Sequence, residues 1–419
     1  MTLASMSEKI KRYVLVGCGG RGLGMFAEPI VKIFPHSASL VGLCDINQGR
    51  MDLCNRILQT QVPTFSDFDR MIREAKPDTV IVATKDSLHH EFTLRSFQHG
   101  CNVICEKPMT TDEIKCRQIL EAEKKTGRKV TVTFNYRFVP YVTRIREILG
   151  SGTIGKILSV DFQYQLDRSH GADYFRRWHR RKENSGGLLV HKATHHFDLI
   201  NWLLGQDPEE VYAIGSRQFY GPTRKERGKR CLTCDHKKTC EFYFDINAHS
   251  FLGIDPCELY AKVEHLDGYI RDQCVFSEEI DIEDTMNLTV RYSGGTQMSY
   301  SLNAHCIYEG WRMAFNGTEG RLEATEWHSG PYIAKDKQDI LIHRWQQPVE
   351  TVSVPLDHSG HGGGDRRLLR MLFDAPQPDP LGHMASSRAG AMSILTGIAA
   401  NHSIAKKLPI KIQDLLGRS

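Results

Sequence analysis

The sequence predicts an α/β protein whose first third is a doubly wound parallel sheet with helices on both faces. Two observations predict it. Short apolar runs alternate with helical patterns from Tyr13 to Phe138, and a glycine-rich turn joins the first run to the first helix. The runs are Tyr13–Gly17, Leu40–Asp45, Asp78–Thr84, Asn102–Pro108 and Lys129–Phe138. The first four have short apolar centres, as strands covered on both faces do. Helical spacing fills Gly22–Ile33, Asp52–Leu58, His90–His99 and Thr111–Thr126 between them.

The turn reads Gly17-Cys18-Gly19-Gly20-Arg21-Gly22. A G-x-G-x-x-G alone says little. Here it follows a strand and opens a helix, and Asp45 ends the next strand about 20 residues on, which is the dinucleotide context. Gly17 makes the tight turn and Gly19 lets the backbone approach a pyrophosphate. Gly22 lets helix pack on strand, and the helix start, with Gly20 and Arg21, receives the phosphate charge. Asp45 is expected to accept from a ribose diol and repel a 2′-phosphate, so NAD is expected rather than NADP. Thr84 to His89, Glu106-Lys107-Pro108 and Asn135 to Phe138 fall at or just beyond the ends of successive strands. That edge of an open parallel sheet binds ligands, which puts Thr84, His89, Glu106 and Lys107 beside the cofactor.

At 419 residues the chain has room for two or three domains, and 40% hydrophobic with 25% charged residues is an ordinary globular balance. A net charge of +4 and short basic clusters, Arg176–Lys182 and Lys225–Lys238, argue against nucleic acid as a partner. No apolar run has the ~18 residues of a membrane span. The start, MTLASMSEKIKRYVLVG, runs straight into a strand; no signal peptide is read, Met6 is an alternative start after a short leader, and the cytoplasm is the expected compartment. A reducing compartment argues against a disulfide framework for the 12 cysteines.

Further motifs extend along the chain. They are Gly186-Gly187-Leu188-Leu189 leading to His195 and Asp198, Trp202 to Gly205, Phe315 to Gly320, and His361 to Asp365. Together with Glu106-Lys107-Pro108 this set resembles the Gfo/Idh/MocA oxidoreductases, the glucose–fructose oxidoreductase and inositol dehydrogenase family. The resemblance implies an NAD-binding Rossmann domain over 1–135. A substrate-binding and oligomerisation α/β domain over 136–419 follows, with a large, mostly antiparallel open sheet. It further implies a homo-oligomer, dimer or tetramer, through that sheet, and a C-terminal helix packed back on the first domain. The sequence agrees: Ile157–Leu166, Glu210–Tyr220, Met286–Tyr292 and Thr296–His305 are rich in strand formers, and 387–407 has helical spacing. Two departures stand out. The usual Thr-Pro-Asn loop is Thr84-Lys85-Asp86, and the family's Asp four residues before the catalytic His is His191.

Removing hydride from a carbinol needs a base for the hydroxyl proton and a donor that holds the oxygen. Lys107 is expected to donate or relay the proton, and His195 is the base candidate because imidazole titrates near neutrality. His191, one helical turn earlier, can share its face. His196 and Asp198 are expected to be structural. Tyr136, Arg137, Trp178, His179 and Arg180 have the types that stack on sugars or donate to hydroxyls and carboxylates. The expected activity is NAD-dependent oxidation of a secondary hydroxyl of a sugar, glycoside or polyol. The first alternative is a redox-neutral glycosidase or lyase working through a transient keto-sugar. The second is a non-catalytic NAD-binding sugar sensor.

Residues 222–275 form a cysteine-rich insertion. Cys231-x2-Cys234-x5-Cys240 suits tetrahedral zinc, with Cys274 as the favoured fourth ligand; free thiols are the equal alternative.

Overall fold

The computed structural model describes residues 10–248 and 254–417; the leader before Met6 lies outside them. In chain order the strands of the first sheet are β1 (Lys11–Val16), β2 (Ala38–Cys44), β3 (Thr64–Phe65), β4 (Thr79–Val82), β5 (Asn102–Cys105) and β6 (Val130–Val132). Those of the second are β7 (Ile157–Asp167), β8 (Pro208–Ser216), β9 (Thr285–Tyr292), β10 (Gln297–Cys306), β11 (Gly310–Gly317), β12 (Arg321–Trp327), β13 (Lys337–His343) and β14 (Glu350–Pro355). Two short late strands follow, β15 (Ala385–Ser386) and β16 (Ile410–Lys411).

The first sheet has the order β15-β6-β5-β4-β1-β2-β3, parallel except for β15, which pairs antiparallel with β6. The second is nine-stranded, β14-β13-β12-β11-β7-β10-β9-β8-β16, and antiparallel except where β10 runs parallel to β7. Val14, Leu15, Val80, Ile81 and Val82 are fully buried, the burial on both faces that their unbroken apolar runs imply. The last long helix, Ser387–Lys406, links the two sheets' cores. Its Ser393 hydroxyl bonds Thr194 at 2.8 Å, its His402 reaches Glu113 at 3.1 Å, and Gly390 gives the room that Val132 and Met109 occupy. Among the described residues, no helix is long and apolar enough to cross a membrane.

Three expected boundaries move, each for a visible reason. The strand expected over 129–138 stops at Val132, and Asn135–Phe138 forms a single 3-10 turn instead. The helix expected from Asp52 begins at Gln48, because the Asn47 side chain caps it by accepting the Arg50 N–H. The strand expected over 210–220 ends at Ser216, where the Asp284 carboxylate takes the N–H groups of Gln218, Phe219 and Tyr220 and turns the chain.

Candidate active site

The glycine turn has the shape a dinucleotide requires. Gly17 has φ +96°, and a Cβ there would stand 2.5 Å from the Ala83 carbonyl oxygen. A Cβ on Gly22 would collide with the Gly17 carbonyl, so helix and strand meet there only through glycine. Asp45 is half-buried just beyond β2; its Oδ2 accepts the Cys18 N–H at 2.7 Å and its Oδ1 the Asn47 N–H at 2.9 Å. Burial raises its carboxyl above the ordinary range, against the pull of those N–H groups. Arg21 pairs with Glu106 at 2.7 Å, tying the turn to the end of β5. His89 is buried, its ring nitrogens 2.8 Å from the Pro108 carbonyl and 3.3 Å from that of Thr84, so it pins one loop to the other.

The insertion roofs this groove. The Gly20 N–H donates to the Tyr260 hydroxyl at 3.0 Å, Asn47 donates to the Val263 carbonyl at 2.9 Å, and Arg50 pairs with Asp267 at 2.6 Å. None of these partners was legible as part of the groove.

Lys107, just beyond β5, crosses to the second domain. Its Nζ donates to the His191 carbonyl at 3.1 Å and lies 3.5 Å from His191 Nε2. Burial pushes this ammonium down to about 8, with the nearby carboxylates Asp86 and Glu106 opposing. His191 Nδ1 in turn stands 2.5 Å from Asp86 Oδ2. Asp86 is 2% exposed, and burial drives its carboxyl well up while the Lys107 charge pulls it back. Burial, then Lys107 and His179, hold His191 well below the usual histidine range, so it is neutral; its Nε2 accepts from Lys107 and its Nδ1–H donates to Asp86. The carboxylate missing from position 191 is thus supplied by the loop of β4. The two departures from the family pattern, Asp86 and His191, are one contact.

His191 is placed by the turn before it: Gly186 and Gly187 have φ +68° and +78°, and a Cβ on Gly186 would press on Val190. The His179 ring packs 4.2 Å from His191 and stacks at 3.6 Å on half-buried Trp178. His179 therefore buttresses the imidazole. His195 sits between Phe134 at 6.0 Å and Tyr136 at 6.4 Å, with a buried Nδ1 that has no hydrogen-bond partner. Burial, followed by Lys107 and Lys192, keeps it well below the normal range. His196 is structural: its Nδ1 lies 2.6 Å from the Tyr300 hydroxyl and its ring stacks on Tyr164 at 4.1 Å.

A second group of polar side chains, on and around the large sheet, was missed. The Tyr164 hydroxyl donates to Glu309 at 2.9 Å, His170 Nδ1 contacts the same carboxylate at 2.9 Å, and Tyr174 reaches His170 Nε2 at 3.0 Å. Burial pushes Glu309 up, but His170 and Lys192 outweigh it and hold it at about 2. Tyr136 donates to Glu326, which also accepts the Trp311 indole N–H at 2.8 Å. These residues are scattered over β7, β11, β12, the loop before β11, the turn 135–138 and the helix 168–176 with no motif, so only the fold gathers them.

Two expected substrate residues are committed elsewhere. Arg137 places Nε and Nη2 on the Asp198 carboxylate at 2.7 and 2.5 Å, both buried, and Nη1 on the Gly382 carbonyl, so it is a strut between segments of the fold. Arg180 is buried against the insertion, donating to Gln273 at 3.0 Å. The zinc expectation also fails. Cys231, Cys234, Cys240 and Cys274 line one cavity of about 20 Å³, yet among the described residues no three His, Cys, Asp or Glu side chains are arranged to hold a metal ion. Cys231 Sγ instead accepts from Arg176 at 3.0 Å, and beside Cys274 the chain makes only an isolated bridge, Arg230 to Gln273. None of the four is joined in a disulfide.

Comparison with known proteins places this geometry. The profile "Oxidoreductase family, NAD-binding Rossmann fold" matches residues 11–134, and "Oxidoreductase family, C-terminal alpha/beta domain" matches 146–412, both of Gfo/Idh/MocA. The chain belongs to the Gfo/Idh/MocA oxidoreductase family. Within that family it is 40% identical to YteT of Bacillus subtilis (strain 168) over 97% of this chain and 99% of that protein. It is 30% identical to an inositol 2-dehydrogenase of Rubrobacter xylanophilus over 50% of this chain and 56% of that protein. The WlbA dehydrogenase from Bordetella pertussis, solved in complex with NADH and UDP-GlcNAcA, covers 96% of this chain and 99% of its own at 19% identity and TM-score 0.65. A myo-inositol 2-dehydrogenase from Lactobacillus plantarum does so over 97% and 100% at 18% identity and TM-score 0.65. At those identities the likeness shows the Gfo/Idh/MocA fold alone.

Proposed function

We propose that this Gfo/Idh/MocA member oxidises a secondary hydroxyl of a neutral sugar, glycoside or polyol with NAD. The observation that carries the reading is the Lys107–His191–Asp86 chain, in which a lysine at the cofactor edge meets an imidazole backed by a buried carboxylate. NAD, when bound along Gly17–Gly22 and Asp45, supplies the hydride acceptor. Lys107 holds the substrate oxygen. Neutral His191 and His195 are the groups able to take its proton as the C–H bond weakens. A neutral substrate is favoured because Arg137 and Arg180 are tied off, while Glu309 and Glu326 stand beside Tyr136, Tyr164 and His170 as partners for hydroxyls. The test is to mix the protein with NAD and a panel of inositols, hexoses and glycosides and follow absorbance of reduced cofactor together with product mass. Activity confined to uronic acids would reject the neutral-substrate reading.

A redox-neutral elimination is a second reading, favoured by one observation: His195, with its unpartnered Nδ1, is an imidazole additional to the His191–Asp86 pair. It predicts release of a leaving group with no net change in reduced cofactor. A homo-oligomer is proposed through the open face of the large sheet, where Leu158, Tyr212 and Ile214 are exposed.

A further inference from the structure

We propose that Asp267, carried by the insertion, determines the choice of NAD over NADP by consuming the charge of Arg50. The proposal rests on the reading that a dinucleotide binds along Gly17–Gly22 with its adenosine ribose at Asp45.

The helix Gln48–Leu58 starts beside Asp45, and its free N–H groups and the Arg50 guanidinium form a positive pole. A pole of that kind next to a ribose is what a 2′-phosphate needs. Here it is filled from within. Asp45 takes the Asn47 and Cys18 N–H groups, and Arg50 Nη1 pairs with Asp267 at 2.6 Å and faces Asp45 at 3.8 Å. The side chains of Arg50 and Asp267 are 9% and 3% exposed, so the pair is shielded from solvent and salt. Arg50 Nε donates to the Leu259 carbonyl at 3.3 Å, and the guanidinium lies over the rings of Tyr260 at 5.5 Å and Tyr269 at 5.7 Å. Its Nη2 is buried without a hydrogen-bond partner.

One cation therefore faces two carboxylates before any ligand arrives. A 2′-hydroxyl adds no charge and donates to Asp45. A 2′-phosphate adds nearly two negative charges with no free counter-charge. Asp45 alone would leave Arg50 available; the second carboxylate, from more than two hundred residues downstream, removes it. Losing Asp267 frees Nη1 beside the already unpartnered Nη2, a fork that matches a phosphate.

The test is binding, not turnover. The full chain is titrated with NADH and with NADPH, following quenching of tryptophan fluorescence, and the ratio of Kd for NADPH to Kd for NADH is compared among variants. Asp267→Asn should lower the ratio by about tenfold or more, as expected for unmasking one buried charge, and adding Arg50→Gln to it should restore the ratio. Arg50→Gln alone, should Asp267→Asn fold poorly, should raise the ratio, since it leaves Asp45 and Asp267 both uncompensated beside a 2′-phosphate. An unchanged ratio in Asp267→Asn, a drop that persists in the double variant, or a lowered ratio in Arg50→Gln alone would each overturn the proposal. Failure of the native chain to bind either dinucleotide would remove the underlying reading instead.

Discussion

Asp86 Oδ2 and His191 Nδ1 lie 2.5 Å apart, which joins the loop after β4 to the helical turn that opens the second domain's half of the site. The carboxylate fixes the tautomer of His191 and turns its Nε2 toward Lys107. Asp86→Asn should therefore reduce kcat by roughly 10- to 100-fold, as for other partners that orient a functional imidazole, with little change in KM, and Asp86→Glu should recover part of the loss. An Asp86→Asn enzyme with native kcat would show that the contact is structural only.

The pH profile of kcat/KM should be bell-shaped. Lys107, held at about 8, is charged below that pH and neutral above it, so the rate falls as pH rises through about 8 when the ammonium holds the substrate oxygen. His191 and His195 are both lowered, so they are neutral at pH 7 and protonate only in acid; the acid limb should lie below the ordinary histidine value of about 6.5. Lys107→Arg cannot deprotonate and should flatten the alkaline limb at reduced rate. A rate that keeps climbing past pH 9 would instead make neutral Lys107 the base.

Removing the Tyr260 hydroxyl should change cofactor affinity in a diagnostic direction. It accepts the Gly20 N–H, a group that a pyrophosphate oxygen needs. Tyr260→Phe should tighten NADH binding by up to about fivefold, the worth of one hydrogen bond no longer lost. Weaker binding would mean that the hydroxyl itself contacts the cofactor.

Arg137 and Asp198 should matter to stability rather than to substrate. Asp198→Ala leaves a buried guanidinium alone and should cost about 3–5 kcal/mol, read by urea unfolding, with KM of the folded enzyme unchanged. A rise in KM without loss of stability would return Arg137 to the substrate site.

The first sheet was legible because most of its strands have apolar centres and its turn obeys a spacing rule; Gly17, Gly22 and Asp45 stand where that rule puts them, and Lys107 just beyond a strand end. Arg137 and Arg180 misled because exposed and buried arginines look alike in a sequence, and only a neighbour such as Asp198 tells them apart. Asp86 was visible as an oddity, and so was His191, but nothing local relates two positions on different domains. Glu309, Tyr164 and Asp267 carry no signal until the sheet and the insertion close around them.

The antiparallel pairing of β15 with β6 has a consequence for how the chain is made. On the ribosome the nucleotide domain emerges first, while the strand that caps its sheet follows roughly 250 residues later, tens of seconds at ordinary elongation rates. Through that interval β6 is an open edge, able to pair with another nascent copy. A transcript truncated before Ala385 should therefore yield a product that aggregates, even though every residue of the glycine turn is present.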